Sequence, residues 1–148
     1  MKTDAEAFLS YPAFAVVGVS ADRKKFGNVI YREMRQRGLR VYAVNPKLTR
    51  VEEEVCYPTL AAVPEGVQAV VTVVPPQETE KVVPQCAARG VKAMWMQQGS
   101  SSDRTVKAAR EAGMTVVHGH CLLMFLEPVG SVHRFHRWVW KLIGRYPR

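Results

Sequence analysis

Short apolar runs alternate with amphipathic stretches along most of the chain. FAVVGV at residues 14–19 is β-branched and bounded by Pro12 and Gly18, the pattern of a buried strand. NVIYREMRQRG then sets Val29, Ile30, Met34 and Arg37 at helical spacing and stops at Gly38, which suits the left-handed residue after a helix. LRVYAVNP is a second strand closed by Asn45-Pro46, and VCYPTLAAVPEG is a connector with one helical turn at most. VQAVVTVVPP is a third strand, stopped by two prolines that cannot continue a ladder. QETEKVVPQCAARG predicts a helix with an irregularity at Pro84 and an end at Gly90. VKAMWMQQG is a strand, SSDRTVKAAREAG a helix opened by Ser/Asp capping residues and closed by Gly113, and MTVVHG the last strand.

Strands alternating with helices at this spacing predict right-handed βαβ units. The expected fold is α/β and Rossmann-like, a doubly wound, five-stranded, mainly parallel sheet with helices on both faces. Residues 1–148 form one domain in this reading, with 128–148 a basic amphipathic helix packed on it. Ligands of such sheets bind beyond the carboxyl ends of the strands, near the point where strand order reverses. Those ends are Gly18-Val19-Ser20, Asn45-Pro46, Val74-Pro75-Pro76, Gln97-Gln98-Gly99 and His118-Gly119-His120.

Composition narrows the class only a little. A hydrophobic content of 47% with 23% charged residues over 148 positions fits one ordinary globular domain. No run reaches the roughly 18 apolar residues of a membrane span. Acids near the start, in MKTDAEAFLSYPAF, argue against a secretory signal, so a cytoplasmic protein is expected. The formal net charge of +8 is unevenly placed. Residues 23–50 carry nine Lys/Arg against the single acid Glu33, and residues 128–148 carry five with no acid. Such concentration fits an anionic ligand, although solvated basic faces also arise without one.

The loop VGVSADRKKFGN is the densest chemistry. A helix start near Phe26 or Gly27 presents free N–H groups and a positive dipole end, which favours phosphate. Gly18 permits a sharp exit from the strand and Gly27 a close backbone approach. Ser20 and Asn28 offer side-chain donors, and Arg23, Lys24 and Lys25 add charge. The dinucleotide fingerprint needs three clustered glycines and an acid after the second strand. Here Lys47 and Arg50 follow that strand instead, which disfavours NAD. NADP and coenzyme A (CoA), each with an extra ribose phosphate, both remain.

GVS after the first strand, YAVNP after the second, VVPP at the third and QQG at the fourth resemble the small CoA-binding proteins. These are single-domain relatives of the CoA-binding domain of the succinyl-CoA synthetase α subunit, and the likeness runs from about Phe8 to about Leu123. The resemblance implies a Rossmann-like fold holding CoA, free or acylated, across its strand ends. It implies phosphate at Gly18 and Ser20 with Lys25 nearby, and adenosine flanked by Asn45 and Pro46. Val74, Pro75 and Pro76 would line the nucleotide wall, and Gln98 and Gly99 the path of the pantetheine arm. The basic trio and the long tail depart from the general pattern, so the phosphate-contacting cation stays open among Arg23, Lys24 and Lys25.

Catalytic machinery is not legible. Cys121, just after the last strand and beside His120, could have a lowered pKa and react with the ligand thiol; an isolated cysteine is more often a small buried hydrophobe. Cys56 and Cys86 are expected to be structural. Neither His118 and His120 nor the spaced pair His133 and His136 has a visible third metal ligand. The expectation is therefore a CoA-binding protein without turnover, sensory or regulatory; the alternative is an NADP-dependent oxidoreductase on a minimal Rossmann domain. In VHRFHRWVWKLIGRYPR, Phe135, Trp138, Val139 and Leu142 share one helical stripe. That stripe either docks on the parent domain, forms a homodimer contact, or serves a membrane surface or nucleic acid. Nucleic acid is not the expected partner.

Overall fold

The computed structural model describes residues 3–126. The stripe of residues 128–148, with His133 and His136, lies outside them. Among the described residues seven strands form one sheet, β1 (Phe14–Val17), β2 (Val41–Val44), β3 (Arg50–Val51), β4 (Glu54–Tyr57), β5 (Ala69–Thr72), β6 (Ala93–Met96) and β7 (Thr115–His118). Their order is β3-β4-β2-β1-β5-β6-β7, and every pairing is parallel except β3 with β4. The strand count of five is thus corrected to seven among the described residues, because β3 and β4 add a hairpin that takes only the first residues of the expected connector, whose single helical turn is present at Leu60–Ala62. They form a hairpin with a two-residue tip, Glu52-Glu53, at φ of 49° and 65°. Paired positive φ values are what a tight hairpin needs, but Asn-Gly normally supplies them. With two glutamates there, no turn signal marked the hairpin.

The described residues include four α-helices that cover the sheet, α1 (Asp4–Leu9), α2 (Phe26–Gln36), α3 (Pro76–Arg89) and α4 (Asp103–Glu111). Strand side chains alternate between the two layers they build. Phe14 and Val16 point with Ala43, Val71 and Trp95 toward Phe8 of α1 and Ile30, Tyr31 and Met34 of α2. Ala15 and Val17 point with Val70, Met94 and Met96 toward Val82, Val83 and Cys86 of α3 and Val106 and Ala109 of α4. All four residues of β1, β5 and β6 are buried, which explains their unbroken apolar runs. Helix α1 was not anticipated, although Thr3 and Glu6 carry its capping box. Pro84 sits on the exposed face of α3 and does not end it; Gly90, at φ 81°, does.

Candidate functional site at the carboxyl ends of the strands

Strand order reverses at β1, which lies between β2 and β5. The crossovers to its two neighbours therefore run to opposite faces and leave a crevice at its carboxyl end. A cleft of about 400 Å³ opens there. Gly18, Asn45, Pro46, Lys47 and Val74, all expected from the sequence, line it. Pro58 and Thr59 after β4, and Glu78, Lys81, Val82 and Gln85 of α3, complete the walls. These were not anticipated, since which face of α3 meets the cleft follows from packing rather than from a local motif.

Gly18 makes the turn out of β1 at φ 119°, where a Cβ would lie 2.5 Å from the Val73 carbonyl oxygen. Gly27 seats the helix on the strand. A side chain on it would overlap the Gly18 carbonyl, so its absence lets the first turn of α2 rest directly on the end of β1. Helix α2 starts at Lys25 as N-cap with no side-chain cap, leaving its positive end to the loop. Val19 is fully buried and anchors the loop from below. Asn45 ties the second strand end to it, donating from Nδ2 to the Val19 carbonyl at 3.0 Å and accepting at Oδ1 from the Lys47 amide at 2.9 Å.

Asn28 is corrected from ligand donor to loop support. It is fully buried; its Oδ1 accepts from the Ser20 amide at 2.8 Å, and its Nδ2 donates to the Ser20 carbonyl at 2.7 Å and to Glu52 Oε2 at 2.8 Å. The Ser20 hydroxyl donates to the Asp22 carbonyl and accepts from the Asp22 amide, both at 3.1 Å, which tightens the next turn. Of the basic trio, Arg23 pairs with Glu52 at 3.1 Å. Lys24, Lys25 and Lys47 have no carboxylate partner among the described residues. Burial alone would raise the Glu52 pKa, but the Asn28 hydrogen bond and the Arg32 and Arg23 charges outweigh it and hold the carboxyl below its usual range.

The remaining strand ends support the cleft more than they line it. Pro75 and Pro76 open α3, as N-cap and first helical residue, while Val74 alone of the three faces the cleft. Ser100 joins Thr72 at 2.9 Å, Thr79 at 2.7 Å and the Val74 amide at 3.4 Å, and Thr72, Thr79 and Ser100 are all buried. Gln97, buried, accepts at Oε1 from the Leu122 amide at 3.1 Å. Exposed Gln98 reaches the Gly119 carbonyl at 3.4 Å, and Gly99 turns the chain at φ 84°. Among the described residues no group of three metal-ligating side chains occurs.

Cys121 is 2% exposed, and burial pushes its thiol pKa up despite hydrogen bonds involving Leu123 and Gln97. Cys121 is thus the buried residue that the sequence favoured, and the alternative of a lowered thiol pKa is not supported. Cys86 is pushed up to about 12 by burial, and Cys56 is also raised. CoA disulfide is expected to leave no adduct on Cys121 in the folded protein at neutral pH and to label it after unfolding. Intact-mass spectrometry showing a native Cys121 adduct would contradict that.

Sheet order, glycine-supported turn and a helix start without a side-chain cap together define a Rossmann-like domain. The chain belongs to the family of the CoA binding domain, whose model matches residues 12–127. It is 30% identical over 140 residues to an ADP-forming acetate–CoA ligase I of Archaeoglobus fulgidus, an alignment covering 87% of this chain and 20% of the ligase. The chain thus spans about a fifth of that relative's length. Among solved structures, a conserved hypothetical protein of Pyrococcus furiosus superposes with a TM-score of 0.74 at 30% identity, covering 78% of this chain and 99% of that one. An apo acetyl-coenzyme A synthetase of Ca. Korarchaeum cryptofilum superposes with a TM-score of 0.65 at 30% identity, covering 76% of this chain and 27% of that one. No helix among the described residues is long and apolar enough to cross a membrane.

Proposed function

We propose that the protein binds CoA, free or acylated, without turning it over, in a sensory or regulatory role. The pyrophosphate sits at the start of α2, with the Gly18–Ser20 loop beneath it and Lys25 beside it. The adenosine end occupies the cleft between the ends of β1, β2 and β5, bounded by Asn45, Pro46 and Val74, with Lys47 toward the ribose phosphate. The pantetheine arm leaves along Gln98 and Gly99. The observation that carries this reading is the uncapped start of α2, seated on Gly18 beside a cleft whose Lys47 has no carboxylate partner among the described residues. Membership of the CoA binding domain family supports CoA over NADP as the ligand.

Thermal-shift titration with CoA, acetyl-CoA and NADPH tests the proposal. Ligand at about a hundred times its Kd stabilises a protein by about 2.7 kcal/mol, so a specific ligand raises Tm visibly. CoA or acetyl-CoA is expected to do so; stabilisation by NADPH and not by CoA would overturn the assignment. Lys25→Ala and Lys47→Ala are each expected to weaken CoA about tenfold at low salt and less as screening grows. Isothermal titration at two salt concentrations measures both effects.

A further inference from the structure

Glu52 stands at the tip of the β3–β4 hairpin in a left-handed conformation, as does Glu53. Non-glycine residues adopt that conformation at a cost, so a compensating use of the side chain is to be looked for. The Glu52 side chain is only 4% exposed although it belongs to a surface turn. It leaves its own hairpin and reaches the loop between β1 and α2. Its Oε2 accepts from Asn28 Nδ2 at 2.8 Å and from Arg32 at 2.7 Å, and its Oε1 accepts from Arg23 at 3.1 Å.

We propose that Glu52 is a positioning residue for ligand binding: it fixes the Asn28 amide and, through it, the backbone of Ser20, so that the phosphate loop is shaped before the ligand arrives. The amide of Asn28 has one oxygen and two N–H groups, and all three are used. The Ser20 N–H demands the oxygen, while the Ser20 carbonyl and the Glu52 carboxylate demand the nitrogen. Without Glu52 one N–H would face a buried site with no acceptor. Arg32, which also donates to the Arg23 carbonyl at 3.0 Å, would lose the charge that holds it there. Three ties to the loop therefore converge on one carboxylate contributed by a hairpin far along the chain. The same geometry distinguishes the members of the basic trio: Arg23 is tied to Glu52 through Nε, while Lys24 and Lys25 have no carboxylate partner among the described residues.

The inference rests on the CoA reading for its ligand but not for its geometry, and two measurements on the full chain separate them. CoA is titrated calorimetrically into wild type, Glu52→Ala, Glu52→Gln, Asn28→Ala and the Glu52→Ala/Asn28→Ala double variant. Amide hydrogen exchange of residues 19–25 is followed in the ligand-free proteins. Glu52→Ala is expected to bind CoA about tenfold more weakly or worse, and Glu52→Gln, which keeps an acceptor for Asn28, to recover part of the loss. The double variant should lose less than the sum of the two single losses, because the two residues act in part through one amide. Exchange at residues 19–25 should rise in Glu52→Ala while the sheet stays protected. Wild-type affinity in Glu52→Ala, or losses that simply add in the double variant, would overturn the proposal. If wild type does not bind CoA, the ligand assignment falls by itself, and unchanged exchange at residues 19–25 in Glu52→Ala then overturns the positioning role. If Glu52→Ala fails to fold, the same two readouts on Glu52→Gln decide, with wild-type values in both counting against it.

Discussion

Gly27→Ala is expected to cost about 3 kcal/mol of folding stability and to weaken CoA binding by more than about tenfold. Helix propensity alone predicts the opposite sign, because alanine is favoured over glycine inside a helix by about 1 kcal/mol. Sterics decide the matter. The added methyl would overlap the Gly18 carbonyl, whose carbon it would approach to 2.9 Å, and this neighbour is backbone of a residue whose N–H donates to the Val44 carbonyl at 3.3 Å. Gly18 cannot yield in turn, since its own Cα faces the Val73 carbonyl. The only relief is for the first turn of α2 to lift away from β1. That movement breaks the seat of Ile30 and Met34 in the core and also displaces the helix start from the cleft. Urea denaturation and CoA titration of the same variant check both effects. A midpoint at or above that of wild type would show that the helix shifts freely and that Gly27 is not a spacer.

Gly27 also illustrates how far the sequence could be read. Its place after the first strand marked it for the phosphate loop, but its partner, the Gly18 carbonyl, is a contact that only the folded backbone reveals. The parallel core and the layering were legible because runs such as AVVT and AMWM are buried along their whole length and are separated by amphipathic helices. The strand ends followed from that frame, and five of the expected ligand residues do share one cleft. Asn28 was misread because polarity in a first helical turn suggests exposure, whereas here the amide turns inward to Ser20. The hairpin escaped notice because Glu52-Glu53 carries no turn signature; its reason for being there lies in Asn28, Arg32 and Arg23, none of which is local. Side-chain ties between distant loops have no period, so hydrophobic patterning cannot announce them.

Ser100→Ala is expected to destabilise the fold by about 2–3 kcal/mol, more than an ordinary serine deletion, and to loosen the CoA site with it. One hydroxyl serves three partners. It donates to Thr72 Oγ1 at 2.9 Å and accepts from Thr79 Oγ1 at 2.7 Å and from the Val74 amide at 3.4 Å, which fills its hydrogen-bonding capacity. The three groups belong to the last residue of β5, the first turn of α3 and the turn between them. Deleting the hydroxyl leaves the Thr79 O–H without an acceptor in a fully buried place and removes the tie on Val74 where it lines the cleft. Thr72→Val should cost less, about 1 kcal/mol, because a methyl replaces the hydroxyl at similar shape and only the Ser100 hydrogen loses its partner. The order of the two variants in urea midpoints is therefore the test, with CoA affinity falling further in Ser100→Ala than in Thr72→Val. Equal midpoints would mean that the hydroxyls act as independent bonds rather than through Ser100 as their common centre.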